Sequence, residues 1–150
     1  PVFWIQDPTY IIIGTIFALL TAPATHFKLL PRRPLLIADA FGLAVFTVIG
    51  TQIALDNGVS SLIAIILGVM SAVAGGVIRD LLSDQIPLIL RKEIYATASF
   101  CGALAYLLCQ NLPVVMTFST TIGVLTTLLL RLAAIRWGWS LPLPLTHTKH

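Results

Sequence analysis

Apolar residues fall into five long runs separated by short polar breaks, covering Thr9–Ala24, Leu35–Leu55, Val59–Ile78, Ile94–Gln110 and Leu112–Ile135. A helix crossing a bilayer core takes about 20 residues, within a range of about 17–25. The second, third and fifth runs meet that length, and the fourth is marginal. The first is short unless it extends back towards Trp4. No run alternates in the ten-residue manner of a membrane barrel, so the pattern predicts transmembrane helices. The breaks have local causes. Asp56-Asn57-Gly58 is a tight-turn signal, and Asn111 with Pro113 separates the last two runs. Pro31 and Pro34 bias the residues before them away from helix, and Ser83, Asp84 and Pro87 occupy the next loop.

Composition agrees with this pattern. Of 150 residues 57% are apolar and 10% charged, against about 45–50% and roughly 25% in soluble domains. The mean hydropathy is +0.96. A water-soluble domain of this size could not hide so much apolar surface, and disorder or low complexity is excluded by the same content. The chain reads as an all-α integral membrane protein in a single membrane domain.

The net charge of +3 does not point to nucleic acid, because the charges lie in short loops between apolar runs. With five spans, the first and third loops and the tail share one side of the bilayer. Lys28, Arg32 and Arg33 fall in the first loop, Arg79, Arg91 and Lys92 in the third, and Arg131, Arg136 and Lys149 at the end of the last span and in the tail. These are all nine positive residues, and the positive-inside rule puts that side in the cytoplasm. The chain start then faces outward and the C-terminus, with the tail 137–150, is cytoplasmic. Trp4 outside, and Trp137 and Trp139 inside, suit interfacial belts.

No catalytic constellation is present. His26, His147 and His150 have no Cys or carboxylate partners at metal-ligand spacing, and no phosphate loop or nucleophile elbow occurs. Cys101 and Cys109 would be about 12 Å apart along a helix, too far for a disulfide. No metal or cofactor is expected. Deep Lys, Glu or His residues are also missing, which argues against a proton-coupled carrier.

Two features within the membrane stand out. Gly75-Gly76-Val77-Ile78-Arg79-Asp80 ends the third run. Adjacent glycines weaken a helix and permit a kink or an unwound turn lining a pore, whose freed carbonyls suit a dehydrated monovalent cation. The same glycines also fit close packing, since Gly68, Ala72 and Gly76 recur at every fourth residue. The second feature is Asp39, at the same end of the neighbouring span. It can pair with Arg79, because an unpaired charge there is costly, or attract and gate cations. Thr47 and Thr51, with Gly50 between them, are further pore candidates, as are Thr117, Thr120, Thr121 and Thr127. Threonine hydroxyls also commonly bond back to their own helix. Gly42 is a candidate for helix packing.

The segment Pro87-Leu-Ile-Leu-Arg-Lys-Glu-Ile-Tyr95 before the fourth run parallels Pro1-Val-Phe-Trp-Ile-Gln-Asp-Pro-Thr-Tyr10 before the first. The two following spans run in opposite directions, as in inverted repeats. On that reading residues 1–25 hold the last helix of a first repeat, 35–110 a complete three-helix repeat and 112–136 a final helix. Two helices are then expected upstream of Pro1. An Arg-Asp is expected about seven residues before it, as Arg79-Asp80 stands before Pro87.

The combined pattern Asp39-x-x-Gly42-x-Ala44-x-Phe46-x-x-x-Gly50 followed by Gly75-Gly76-x-x-Arg79-Asp80 resembles the trimeric intracellular cation channel family. Its bacterial members are often catalogued as glycine-transporter-domain proteins. The resemblance covers Asp39 to Gln110 in full. It implies seven helices in a 3+3+1 inverted-repeat bundle, a pore in each subunit of a homotrimer, and passive conduction of monovalent cations with potassium as permeant ion. It also implies a bacterial inner membrane and glycine-kinked helices, here at Gly75 and Gly76, beside the pathway. The first two helices of that pattern have no counterpart in these residues. A carrier for a small amino acid such as glycine, or a non-conducting structural fragment, are the alternatives.

Overall fold

The computed structural model describes residues 32–82, 94–111 and 116–138, with isolated positions 9, 12, 15, 16, 87 and 89. The chain divides into two compact units, Pro1–Leu35 and Leu36–His150. In the first, Thr9, Ile12, Thr15 and Ile16 are helical. Most of the first run, most of both segments compared as repeats, and all three histidines lie outside the described residues.

Among the described residues four helices stand in the order α1 (Arg32–Asp56), α2 (Ser61–Leu82), α3 (Ile94–Gln110) and α4 (Met116–Trp137). Three of them, α1, α2 and α4, are long and apolar enough to cross a membrane, and α3 is a shorter apolar helix of 17 residues. Two of the boundaries that differ from the sequence pattern have clear causes. Arg33 is helical although Pro34 follows it, because a first-turn proline gives up an N–H that would have no partner there anyway. The other is α2, which continues past Ile78 through Arg79 and Asp80, whose charges are paired as described below.

The α1–α2 turn closes on Gly58, whose φ of 77° is left-handed. Its N–H donates to the Leu55 carbonyl at 2.8 Å and that of Val59 to the Ala54 carbonyl at 3.4 Å, the two bonds of a Schellman ending. Ser60 stands just before α2, its carbonyl accepting from the Ala64 N–H at 2.9 Å. Gly138, with φ 63°, stands just past the end of α4.

Packing in the second unit is inside-out relative to a soluble bundle. Leu62, Leu129 and Phe46 are more than half exposed, whereas Thr47, Thr51, Ser99 and Thr127 are fully buried. Lipid tails are as apolar as leucine, so helices associate through small residues and hydrogen bonds instead. A Cβ on Gly50 would stand 3.0 Å from the Ser71 Cβ, and one on Gly68 2.7 Å from the Thr47 carbonyl, which brings α1 and α2 together. A Cβ on Gly102 would stand 2.9 Å from the Gly123 carbonyl and would collide with the Thr127 hydroxyl, joining α3 to α4. Two apolar clusters fill the remaining space: Val48, Ile65, Ala103, Tyr106 and Leu107, and Leu43, Ala72, Val73 and Tyr95.

Candidate functional site

Alternating helix direction brings the start of α1 and α3 and the end of α2 and α4 to one level. Each of the four helices contributes a polar side chain there. Asp39 comes from α1, Arg79 and Asp80 from α2, Tyr95 from α3 and Arg131 from α4.

Arg79 is the hub. Its Nη1 donates to Asp39 Oδ1 at 2.6 Å, and its Nε and Nη2 donate to Asp80 Oδ1 at 3.0 and 2.7 Å. The Tyr95 hydroxyl donates to the same Asp39 Oδ1 at 3.1 Å. Three helices are thereby tied through one carboxylate oxygen. The side chains of Asp39 and Asp80 are 6% and 9% exposed and that of Arg79 25%, so these are charge-assisted bonds in a partly dry setting.

Arg131 is the residue that the run pattern missed. Counted on sequence as a charge at the last span's end, it is instead 1% exposed inside α4, its guanidinium carbon 4.7 Å from the centre of the Tyr95 ring. None of its three side-chain nitrogens has a hydrogen-bond partner among the described residues, and neither has Asp39 Oδ2. A cation–π contact contributes about 0.5–2 kcal/mol, whereas an unpaired buried charge costs about 3–5 kcal/mol. Arg131 is the least compensated group in the cluster. A sequence signal existed: an arginine six residues before the end of α4 lies about 9 Å inside it.

Two readings were open for the glycine pair, an unwound turn and close packing, and Gly76 stands where close packing would put it. Helix α2 is unbroken from Ser61 to Leu82, so no turn is unwound at Gly75-Gly76. The two glycines also face different surroundings. A Cβ on Gly76 would collide with the Tyr95 hydroxyl and stand 3.1 Å from the Tyr95 Cζ and 3.4 Å from Asp39 Oδ1. Around Gly75 nothing lies within 4 Å, and it shares an exposed face with Ser71, Ala74 and Ile78. Tyr95 occupies the space that a side chain at Gly76 would need, and the helix keeps its hydrogen bonds.

The remaining candidates fall into helix packing or open surface. Thr47 donates to the Leu43 carbonyl at 2.6 Å and Thr51 to the Thr47 carbonyl at 2.7 Å. With its proton so used, Thr47 Oγ1 accepts from Ser99, 2.6 Å away. Both threonines are fully buried between helices and line no open face, and Gly50 and Gly68 are contact points of α1 and α2. Ala72 is buried. Gly42, expected in packing, meets nothing within 4 Å. Thr121 bonds back to Thr117 at 2.8 Å and Thr127 to Gly123 at 3.0 Å. Cys101 is exposed and Cys109 half-buried, both free. Among the described residues no group of three His, Cys, Asp or Glu could hold a metal.

A family model described as a glycine transporter matches residues 36–111, which take in Asp39, Gly75, Gly76, Arg79, Asp80 and Tyr95. The UPF0126 inner membrane protein YadS of Escherichia coli (strain K12) is 42% identical over 144 residues, covering 95% of this chain and 70% of YadS. Among solved structures, the TRIC trimeric intracellular cation channel orthologue from Rhodobacter sphaeroides aligns with a TM-score of 0.83 and 37% identity. That alignment covers 93% of this chain and 72% of the orthologue. A second solved TRIC cation channel aligns with a TM-score of 0.84 and 34% identity over 99% of this chain and 73% of its own. The chain belongs to the glycine-transporter family of UPF0126 membrane proteins, with the fold of the prokaryotic TRIC channels.

Proposed function

We propose that the chain is a subunit of a potassium-permeable, monovalent cation channel, assembled as a homotrimer in a bacterial inner membrane. The observation that carries this is the 37% identity to the Rhodobacter sphaeroides TRIC orthologue along 93% of the chain. The 42% identity to an inner membrane protein of Escherichia coli supports the location. The side bearing Arg79 and Arg131 is cytoplasmic, from the one-sided Lys/Arg distribution. In this proposal α1, α2 and α3 are the second repeat of a 3+3+1 bundle and α4 is its final helix.

The pathway runs along the open face of α2. Ser71, Ala74 and Gly75 present small side chains or none, leaving room for a cation that keeps part of its water. Because α2 is intact there, its carbonyls remain in helical bonds, and the ion is carried by water and not by a ring of freed carbonyls. At the cytoplasmic end, Asp39, Arg79 and Asp80 fasten α2 to α1 and act as a charge pair that holds or releases the mouth. Passive flow needs no titratable relay.

A second reading, a carrier for glycine, is favoured by the description of the matching family model. Full-length protein in liposomes separates the two. Potassium efflux that needs no partner ion and is unaffected by glycine supports the channel. Saturable glycine uptake without potassium flux overturns it.

A further inference from the structure

Among the described side chains of this cluster, two arginines meet two carboxylates and share them unequally. Arg79 and Arg131 face Asp39 and Asp80, yet Arg79 engages both carboxylates. Arg131 has no hydrogen-bond partner among the described residues. Asp39 spends one oxygen on Arg79 and Tyr95, and its buried Oδ2 has no partner among them either. Among the described residues Tyr95 touches both underused groups: its hydroxyl bonds Asp39 and its ring carries the Arg131 guanidinium. Asp80 holds Arg79 through two donors, so Arg79 stays paired if Asp39 leaves.

We propose that Arg131 is a positioning residue of this site and the alternative partner of Asp39, which exchanges between Arg79 on α2 and Arg131 on α4. In the observed arrangement Asp39 ties the end of α1 to α2. In the other, Asp39 pairs with Arg131, Asp80 keeps Arg79, and each arginine has one carboxylate. The exchange unfastens the end of α2 beside Gly76 without stranding a charge, as a bistable element requires. This deepens the channel proposal and depends on it only for the effect on flux.

The test uses full-length protein in lipid nanodiscs, with 15N-labelled arginine and the Arg131 signals assigned from Arg131→Lys. Removing the competitor with Arg79→Gln is expected to transfer Asp39 to Arg131. The Arg131 Nη signals then become distinct and their protons exchange at least tenfold more slowly, and adding Asp39→Asn reverses both changes. Identical Arg131 signals with and without Asp39→Asn overturn the proposal. Should Arg79→Gln fail to fold, Arg79→Lys serves. It keeps the charge but loses the fork that holds two carboxylates at once, and the same comparison with Asp39→Asn decides. In potassium-loaded liposomes, Arg79→Lys and Arg131→Gln are expected to change the initial flux at least twofold in opposite directions. Changes in the same direction overturn the exchange. An absence of flux from the unaltered protein overturns the channel reading, and the arginine signals still decide the exchange.

Discussion

The two adjacent glycines of α2 should respond in opposite ways to the same substitution. A methyl group at Gly76 collides with the Tyr95 hydroxyl and comes within 3.1 Å of its Cζ. Tyr95 cannot simply swing away, because Asp39 holds its hydroxyl and Arg131 lies against its ring. Overpacking of this kind costs about 1–3 kcal/mol, and losing a hydrogen bond to a charged group about 1.5–3 kcal/mol. Against these, replacing a mid-helix glycine by alanine gains at most about 1 kcal/mol, and less where the unfolded state stays helical in lipid or detergent. Gly76→Ala is therefore expected to destabilise the fold by about 2–4 kcal/mol. Gly75→Ala meets nothing within 4 Å and should be neutral or stabilising by up to about 1 kcal/mol. Reversible unfolding of the purified protein in mixed micelles, followed by circular dichroism, measures both. Tyr95→Phe removes the colliding oxygen, so Gly76→Ala should cost less in that background. Equal effects of Gly75→Ala and Gly76→Ala, or a Gly76→Ala cost unchanged by Tyr95→Phe, would refute the packing argument.

Gly102→Ala should loosen α3 from α4 and destabilise by about 2 kcal/mol, since its Cβ meets Thr127 and the Gly123 carbonyl; Thr127→Ala should relieve part of that cost in the same unfolding assay. Thr47→Val keeps the shape and strands the Ser99 hydroxyl that Thr47 accepts, so a loss of about 1 kcal/mol is expected. Ser99→Ala should add little to it. For orientation, Asn57→Cys in a background without Cys101 and Cys109 places a thiol in the exposed α1–α2 turn. An impermeant maleimide added to intact cells should label it from the outside. Protection of that thiol until the inner face is opened would invert the topology.

Helices α1, α2 and α4 were legible because their apolar runs are long enough to cross a bilayer and are bounded by turn residues. Gly58 shows this well, since the Asp-Asn-Gly signal and the left-handed cap fall at the same place. The site was legible only in part. Asp39 and Arg79 are near the ends of adjacent antiparallel spans, and their 2.6 Å contact needs little more than that geometry. Tyr95 and Arg131 depend on how α3 and α4 are rotated, and hydropathy does not carry that information when lipid-facing and buried residues are equally apolar. The buried faces are marked instead by small residues, as at Gly102, Gly123 and Thr127. The spacing of four between Gly123 and Thr127 was the available clue. Gly75-Gly76 allowed both an unwound turn and close packing, and adjacent glycines alone do not say which, because the approach of Tyr95 to Gly76 depends on how α3 is rotated.

Planar-bilayer recording of the purified full-length protein in symmetrical potassium chloride bears most directly on conduction. Discrete unitary current steps are expected, with a reversal potential that follows the potassium gradient when the two solutions are made unequal. A silent bilayer from protein that takes up glycine saturably in matched liposomes would contradict a channel.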